Sequence, residues 1–406
     1  MIHFNSVDQA TFLRDYWQKK PLLIRQALPE FITPISAEEL AGLSLEDEVE
    51  SRLVLQHGPN DYQLRRGPFN EEDYRQLPEQ NWTLLVQGVD RLIPQVFDLL
   101  REFDFIPRWR IDDVMISYAT TGGNVGPHYD HYDVFLLQAA GKRKWMLSSQ
   151  HCNENNYVQN IELRLMAQFP IEEEYILEPG DILYLPPKWG HHGVALDDAC
   201  MTYSFGYRTY RGQELWDSFG DYLSENQAFK TLYQDPNWQH CAAGEIPNQA
   251  WLNAKSLLQS ILNDEQALQH WFGRFATQLD QQAHQALPEP LSEEETASLS
   301  EFTAALKEAE GMVRDPVCRF AYQRLANNTL ALYINGFDWP TDDLADGVIH
   351  YLANNTLIDA STLQRWSKQP NVVKALYELW QRQYWTFIEE QAETYGLDDS
   401  DELDED

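Results

Sequence analysis

The middle of the chain is a succession of short β-rich runs with Gly, Pro and polar turns between them. No amphipathic helical pattern separates these runs, which are VMISYAT (114–120), DVFLLQAA (133–140), KWMLSS (144–149), YILEPGDILYLP (175–186) and CMTYSFGY (200–207). Within the fourth run, EPGD (178–181) predicts a tight turn between two apolar strands that pair antiparallel. Many short strands without intervening helices predict a sandwich or barrel of jelly-roll type.

From Arg211 onward, the spacing of the apolar residues changes to that of helices. The residues that share one face of a first helix are Leu215, Trp216, Phe219, Tyr222 and Leu223, and those that share one face of a second are Trp251, Ala254, Leu258, Ile261 and Leu262. We expect these two helices to pack either on each other or on a second copy of the chain.

A boundary follows at ALPEPLSEEE (286–295), where two prolines end the preceding helix. Ser292 and Glu295 form a capping box, which predicts the start of the next helix. Beyond it, a hairpin predicted to turn at Asn327-Asn328 is combined with short helices around 341–353, 360–367 and 370–390. This order resembles a winged-helix module, and the terminal GLDDSDELDED is predicted to be disordered.

The charge balance restricts the classes of partner. The formal net charge is -34, and residues 301–406 carry twenty acidic residues against eight Lys and Arg. Binding to nucleic acid requires clustered Lys and Arg, so we expect no direct contact of the winged-helix-like module with DNA. An acidic surface would instead attract a basic protein, or would only keep the chain soluble.

Cysteine usage and hydropathy indicate the compartment. Four scattered cysteines form neither a zinc cluster nor a convincing disulfide framework, which is typical of a reducing environment. The N-terminus has no apolar signal-peptide core, and no run approaches the length of a membrane span. We therefore expect a cytoplasmic protein with no membrane association.

The segment GPHYDHYDVF (126–135) contains two overlapping His-x-Asp patterns, His128/Asp130 and His131/Asp133. A strand with His at position i and Asp at i+2 directs both side chains to one face. A further His from a neighbouring strand would complete a 2-His-1-carboxylate triad, which suits non-haem Fe(II) and its binding of O2. The segment PGDILYLPPKWGHHGV supplies His191 or His192 for that position.

A co-substrate with a free carboxylate requires a cation inside the barrel. GKRKW (141–145) offers Lys142, Arg143 and Lys144 at the start of a strand. Arg binds a carboxylate through two parallel hydrogen bonds, and alternation places position 143 on the face opposite to 142 and 144. Spacing alone leaves open which face points inward, and therefore which His-x-Asp copy binds a metal.

Together, GPHYDHYDVF, the basic residue of GKRKW and PGDILYLPPKWGHH resemble the JmjC-type 2-oxoglutarate oxygenases. FLRDYWQKKPLLIRQAL and WRIDDVMISYATTGGNVGPHYD are similar to the ribosomal oxygenases, in particular the bacterial branch that hydroxylates an arginine of a large-subunit ribosomal protein. The resemblance covers nearly the whole chain and is stronger for residues 1–209 than for the rest.

The resemblance implies an α+β multidomain chain. Its parts would be a JmjC catalytic domain with a double-stranded β-helix (jelly-roll or cupin) core at 1–209, a helical dimerisation region at 210–285, a winged-helix-like domain at 286–392 and an acidic disordered tail at 393–406. It further implies a homodimer that uses Fe(II), 2-oxoglutarate and O2 to hydroxylate C-3 of an arginine in a basic ribosomal protein. The tail has no counterpart expected from the family.

The family pattern also implies individual roles. In these enzymes the metal-binding His-x-Asp follows a Gly-Pro pair, and the base that binds 2-oxoglutarate lies fifteen residues after the first His. This pattern marks His128, Asp130 and Arg143, whereas counting from the second copy reaches Met146, which cannot bind a carboxylate. The distal ligand follows a double proline after three intervening residues, which marks His191.

Other side chains near these motifs also have expected roles. Ser117 is expected to help hold 2-oxoglutarate or to be an ordinary strand serine, and Tyr129 is expected to line the substrate pocket. Trp189 is expected to pack in the core rather than to line a substrate channel. We expect His131 and Asp133 to be outer polar residues of the site or surface residues, on the face opposite to His128.

Three alternatives share these motifs. The first is a 2-oxoglutarate oxygenase with another protein target, such as a histidine hydroxylase or a lysine demethylase. The second is a cupin metalloenzyme that needs no 2-oxoglutarate, for which Arg143 would have no purpose. The third is a cupin-type ligand-sensing regulator that binds DNA through its C-terminal module.

Overall fold

The computed structural model describes residues 2–5, 7–159, 161–226, 229–236, 241–341 and 343–388. The chain divides into two compact units, Met1–Thr209 and Tyr210–Asp406, which are treated separately below. The acidic tail predicted at 393–406 lies outside the described residues. Among the helices described, none combines the length and the apolar character that crossing a membrane requires.

The first unit is built mainly from strands. Its helices are α1 (Gln9–Asp15), α2 (Ala37–Leu43), α3 (Glu71–Arg75) and α4 (Pro94–Asp98), and its strands are β1 (Leu22–Ile24), β2 (Ser51–Gly58), β3 (Asp61–Arg66), β4 (Trp82–Val86), β5 (Ile111–Ala119), β6 (His128–Tyr129), β7 (Asp133–Ala140), β8 (Arg143–Ser148), β9 (Glu173–Leu177), β10 (Ile182–Leu185), β11 (Gly190–Ala195) and β12 (Cys200–Tyr207). The predicted runs 133–140 and 200–207 are strands over those same residues.

The strands form two antiparallel sheets. The larger has the order β1-β10-β7-β12-β5-β4-β2-β3, and the smaller has the order β6-β11-β8-β9. Side chains from both sheets meet in one buried cluster, in which Val134 and Leu136 of β7 pack with Trp145 and Leu147 of β8. The two sheets therefore face each other, as the predicted jelly-roll core requires.

The other face of the larger sheet is also buried. Phe135 and Leu137 of β7 belong to a second cluster, which includes Phe12 of α1 and Phe103. Because α1 and the segments around it cover this face, β7 is buried on both sides, and its sequence is a continuous apolar run rather than an alternating one.

One predicted pairing is wrong. The strands on either side of EPGD (178–181) do not form a hairpin, because β9 pairs with β8 in the smaller sheet and β10 pairs with β1 and β7 in the larger. The buried Asp181 carboxylate accepts hydrogen bonds from Gln26 N at 2.8 Å and from Arg25 Nη1 at 2.6 Å. These contacts tie the second strand to the N-terminal segment, so the turn carries the chain from one sheet to the other.

The second unit is mixed. Its helices are α5 (Gly212–Glu225), α6 (Asn248–Leu262), α7 (Glu265–Thr277), α8 (Gln281–Gln285), α9 (Leu299–Glu308), α10 (Asp346–Asn354), α11 (Ala360–Trp366) and α12 (Pro370–Gln381), and its strands are β13 (Gly311–Arg314), β14 (Phe320–Arg324), β15 (Leu330–Ile334), β16 (Phe337–Trp339), β17 (Leu357–Asp359) and β18 (Trp385–Phe387). They form two three-stranded sheets, β17-β13-β18 and β14-β15-β16. The predicted hairpin at Asn327-Asn328 is the β14–β15 pair.

Two helix boundaries differ from the sequence prediction. The Ser292–Glu295 capping box forms, but it closes only a turn, and α9 begins after a second box made by Ser298 and Glu301. The helix expected at 370–390 ends at Gln381, because the chain then enters strand β18 beside β13.

The two predicted apolar stripes are only partly covered. Phe219 of α5 packs on Trp271 of α7 with 5.1 Å between ring centroids, and Ile261 of α6 is buried. Trp216 and Trp251, however, are 52% and 53% exposed. Each helix therefore keeps large apolar side chains on its surface.

Candidate metal centre

Three of the side chains marked in the sequence meet at the edge of the smaller sheet. One ligand atom each from His128, Asp130 and His191 lies within 4.8 Å of the others. His128 and His191 are direct partners in the β6–β11 ladder, with 4.2 Å between ring centroids. The Asp130 Oδ2 atom lies 3.5 Å from His191 Nε2. Two imidazoles and one carboxylate on one side are the donor set of a facial triad.

The backbone sets the tautomer of both imidazoles. His128 Nδ1 lies 2.9 Å from Gly126 O, and His191 Nδ1 lies 3.0 Å from Trp189 O. A carbonyl oxygen can only accept, so Nδ1 carries the hydrogen in each ring and Nε2 keeps its lone pair. These residues therefore present two Nε2 atoms that are suited to a divalent metal.

Burial keeps one of these rings neutral. His191 is 3% exposed, and this burial, followed by the neighbouring His128, lowers the pKa of His191 to about 4. A metal binds the neutral imidazole, so His191 needs to lose no proton at physiological pH.

The second His-x-Asp copy lies elsewhere. Asp133 is fully buried on the same face of β7 as Phe135, and it accepts hydrogen bonds from Tyr184 Oη at 2.6 Å and Gln18 Nε2 at 2.9 Å. It is therefore a buried structural group and not the surface residue that the sequence allowed. His131 packs against Tyr129, with 5.4 Å between ring centroids.

His192 also lies outside the triad. Its Nε2 donates to Asn124 Oδ1 at 3.1 Å, and burial lowers its pKa to about 4. Trp189 is half-buried, and its carbonyl orients His191.

The triad opens into an inner cavity of about 200 Å³. Its lining includes the three triad residues together with Ser117, Arg143, Trp145, Thr202, Ser204, Asp112 and Asp113. Strand alternation decides which basic residue of GKRKW reaches it. Arg143 is 4% exposed, whereas Lys142 and Lys144 point outward and pair with Glu178 at 2.6 Å and Glu174 at 3.0 Å.

Arg143 is a buried cation that forms no ion pair with any of the carboxylates that the structure describes. Its Nε lies 3.3 Å from Cys200 Sγ, and its Nη2 has no hydrogen-bond partner in the part of the chain that the structure describes. Isolating a guanidinium from water is costly unless an anion accompanies it. The cavity therefore suits a ligand that carries a carboxylate.

Ser117 and Asp113 of β5 are buried polar groups that line the inner cavity. Ser117 is buried, with its Oγ 3.4 Å from Thr202 O. Asp113 accepts hydrogen bonds from Gln87 Nε2 at 2.6 Å and Gly88 N at 3.1 Å, both at Oδ2. Burial, and then the neighbouring Asp90 carboxylate, raises the pKa of Asp113 to about 7.

An outer cleft of about 330 Å³ adjoins the same triad and shares His128 and Asp130 with the inner cavity. Tyr129 lines this outer cleft, where its ring stacks on Tyr157 at 5.6 Å and its hydroxyl accepts from the Tyr157 hydroxyl at 2.7 Å. The cleft also contains His131.

Sequence reasoning missed three residues around this site: Asp113, Cys200 and Asn124. Asp113 shares the face of Ser117 in β5, so alternation from Ser117 could have located it. Cys200 and Asn124 carry no signal in the sequence, because only the folded sheets bring them against Arg143 and His192.

Comparison with known proteins gives matches over both units. Residues 98–215 match a family model described as JmjC domain, and residues 260–386 match one described as ROXA-like winged helix. The ribosomal protein uL16 3-hydroxylase of Escherichia coli is 36% identical over 384 residues, which cover 93% of this chain and 96% of that protein. A probable ribosomal oxygenase of Haemophilus influenzae is 42% identical over 200 residues, or 48% of each chain.

A solved structure matches nearly end to end. The E. coli ribosomal oxygenase YcfD in complex with cobalt and 2-oxoglutarate superimposes with a TM-score of 0.80 at 32% identity, covering 94% of this chain and 99% of that one.

Proposed function

Because the chain belongs to the JmjC-domain ribosomal oxygenase family, we propose that it hydroxylates C-3 of an arginine side chain in a large-subunit ribosomal protein. It is a 2-oxoglutarate-dependent dioxygenase that uses Fe(II), 2-oxoglutarate and O2. The E. coli relative is named for 3-hydroxylation of ribosomal protein uL16, and the YcfD complex contains 2-oxoglutarate with cobalt in the place of iron.

His128, Asp130 and His191 are the residues we assign to Fe(II). Their support is the close approach of three donor atoms and the two Nδ1–carbonyl hydrogen bonds, which leave both Nε2 atoms available. When bound, the iron couples the oxidative decarboxylation of 2-oxoglutarate to succinate with insertion of one oxygen atom of O2 into a C–H bond. The protein supplies the ligand geometry and the enclosed cavity.

Arg143 carries the co-substrate part of the proposal. Its Nη2 lacks a partner among the described residues and belongs to a side chain that lines the same cavity as the triad. We assign it to the far carboxylate of 2-oxoglutarate, with Ser117 as a neighbouring hydroxyl. This buried guanidinium beside three metal donors is the single observation that favours a 2-oxoglutarate enzyme over a cupin without that co-substrate.

Asp113 supports a cationic target. Both hydrogen bonds that it accepts within the described chain end at Oδ2, so Oδ1 remains for an incoming guanidinium. A guanidinium that enters this cavity would stabilise the charged form of Asp113. A neutral imidazole would not offset the cost of burying that charge. Tyr129 in the outer cleft would then contact the substrate around the target residue.

The net charge and the exposed apolar side chains of this chain indicate which partners it binds. A net charge of -34 suits a basic ribosomal protein and disfavours DNA, and a ribosomal target implies a cytoplasmic site of action. The exposed Trp216 and Trp251 in α5 and α6 support a homodimer in which a second copy covers these side chains.

The test is a reaction of the purified chain with Fe(II), 2-oxoglutarate and isolated large-subunit ribosomal proteins, followed by tandem mass spectrometry. We expect one protein to gain the mass of one oxygen atom on an arginine. A gain on histidine, or loss of a methyl group from lysine, would assign another target. No change in any ribosomal protein, with metal and 2-oxoglutarate bound, would refute the ribosomal assignment.

A further inference from the structure

Asn124 lies in the loop before His128 and is a fully occupied buried amide. It is 2% exposed. Its Nδ2 donates to Gln56 Oε1 at 2.8 Å and to Gly122 O at 2.9 Å, and its Oδ1 accepts from Tyr62 Oη at 2.9 Å, Gly126 N at 3.0 Å and His192 Nε2 at 3.1 Å. Five hydrogen bonds exceed the usual share of one side-chain amide.

The orientation of this amide follows from two backbone groups. The Gly126 N–H can only donate, so the Asn124 atom facing it is the oxygen. The Gly122 carbonyl can only accept, so the atom facing it is the nitrogen. Because Oδ1 is an acceptor, His192 must carry its hydrogen on Nε2.

One oxygen atom is thereby connected to both histidines of the triad. On one side Oδ1 holds Gly126, whose carbonyl accepts from His128 Nδ1 at 2.9 Å. On the other side it holds His192, which follows His191 directly in β11. Two segments of the site that are distant in sequence are therefore held by the same oxygen atom.

The same amide joins the two sheets of the jelly roll. Gln56 and Tyr62 belong to β2 and β3 of the larger sheet, whereas His192 belongs to β11 of the smaller one.

The loop that contains Asn124 and Gly126 has little freedom to move if these hydrogen bonds are lost. Gly126 has a φ of 78°, and a Cβ there would lie 2.7 Å from Leu165 Cδ2.

We propose that Asn124 is a positioning residue that sets the separation of the His128 and His191 imidazoles, and with it the affinity of the metal centre. The inference rests on the proposed function, because it concerns the same three donors. Asn124 lines neither the inner cavity nor the outer cleft, so it acts through Gly126 and His192. Residues that orient metal ligands typically change metal affinity about 10–100-fold when they are lost.

The test compares Asn124→Leu, which removes both polar atoms at similar size, with Asn124→Asp, which keeps an acceptor for the three donors. The matched control is Asn335→Leu, because Asn335 is a buried asparagine in the second unit that accepts from Arg319 N at 2.8 Å. The full-length protein is titrated with Co²⁺, and its dissociation constant and visible absorption spectrum are measured. Thermal unfolding of each metal-free variant reports folding separately.

We expect Asn124→Leu to raise the Co²⁺ dissociation constant about 10–100-fold and to alter the absorption bands. Asn124→Asp should recover most of the affinity, and Asn335→Leu should leave it unchanged even if it unfolds at a lower temperature. If the leucine variant does not fold, Asn124→Ser, whose shorter oxygen cannot reach all three donors, should show the same loss.

A folded Asn124→Leu or Asn124→Ser variant with the wild-type dissociation constant and spectrum would overturn the inference. That result differs from failure of the proposed function, in which the wild-type protein itself would show no Co²⁺ binding that depends on His128.

Discussion

His128 and His191 face each other across the β6–β11 strand pair, with their ring centroids 4.2 Å apart and both Nδ1 atoms hydrogen-bonded to backbone carbonyls. The strand ladder therefore sets the distance between the rings, and the carbonyls set their rotation. Asp130 completes the group on the same side. This arrangement allows the two His-x-Asp copies to be distinguished by experiment.

Replacing the histidine should have a different effect in each of the two His-x-Asp copies. We expect His128→Ala to abolish stoichiometric Fe(II) or Co²⁺ binding, because a site that keeps only two of its three donors holds the metal poorly. His131→Ala, which removes a ring that packs on Tyr129, should leave most of the metal binding and activity. Calorimetric titration of both variants checks this, and the reverse order of effects would overturn the choice of copy.

Arg143 should control co-substrate affinity and not metal affinity. Arg143→Met removes charge-assisted hydrogen bonds to a carboxylate, so we expect a loss of about 1.5–3 kcal/mol, or roughly 10–150-fold in the Kd for 2-oxoglutarate. Lys144→Met is the matched control, because Lys144 pairs with Glu174 on the outer face. Titration of 2-oxoglutarate into the Mn²⁺-loaded protein measures both; an unchanged Kd for Arg143→Met would show that another residue binds the far carboxylate.

Asp113 should discriminate between substrates. If its carboxylate receives the target guanidinium, Asp113→Asn should raise the KM for the ribosomal protein while leaving the Kd for 2-oxoglutarate near the wild-type value. Steady-state kinetics with purified substrate protein measures the first quantity, and calorimetry the second. Equal KM values for variant and wild type would place the recognition of arginine elsewhere.

The same residue predicts a pH dependence of stability. Burial raises the pKa of Asp113 from 3.8 to about 7. Between these two pH values the native state therefore keeps a proton on Asp113 that the unfolded state releases. Stability from this group is complete below about pH 4 and is lost as the pH rises towards 7. Asp113→Asn stays neutral, so its free energy of unfolding should fall less over this range.

Urea unfolding across this pH range tests the point, with Asp112→Asn as the control, since the Asp112 side chain is half exposed. A slope for Asp113→Asn as steep as that of the wild type would contradict the assigned proton.

The exposed aromatic residues of α5 and α6 should govern association. Trp251→Glu places a charge on a surface that we expect a second copy to cover, so the variant should be monomeric at micromolar concentration. Ile176→Glu, at a similarly exposed apolar residue of β9, is the control. Light scattering after size exclusion gives the mass of each; a wild-type monomer would refute the proposed dimer.

Much of the site could be derived from local patterns. Alternation along β8 separates Arg143 from Lys142 and Lys144, and the structure buries only the first of the three. The jelly-roll core follows from the short apolar strands, because β7 and β12 span the predicted ranges. Hydrophobic periodicity and turn residues are properties of neighbouring residues, so they can be identified in the sequence without tertiary information.

Other features depend on contacts between distant segments. The strands flanking EPGD enter different sheets because Asp181 binds the N-terminal segment, which no local signal indicates. The five hydrogen bonds of Asn124 likewise join residues from four separate parts of the chain. The interior placement of Cys200 against Arg143 has the same origin.

The most direct measurement is a crystal structure of the protein with Mn²⁺ and 2-oxoglutarate, in which anomalous scattering locates the metal. We predict one anomalous peak bonded to His128, Asp130 and His191, with the far carboxylate of 2-oxoglutarate on the Arg143 guanidinium. A metal bound by His131, Asp133 or His192 instead, or 2-oxoglutarate bound away from Arg143, would contradict the assignment of this cavity as the active site.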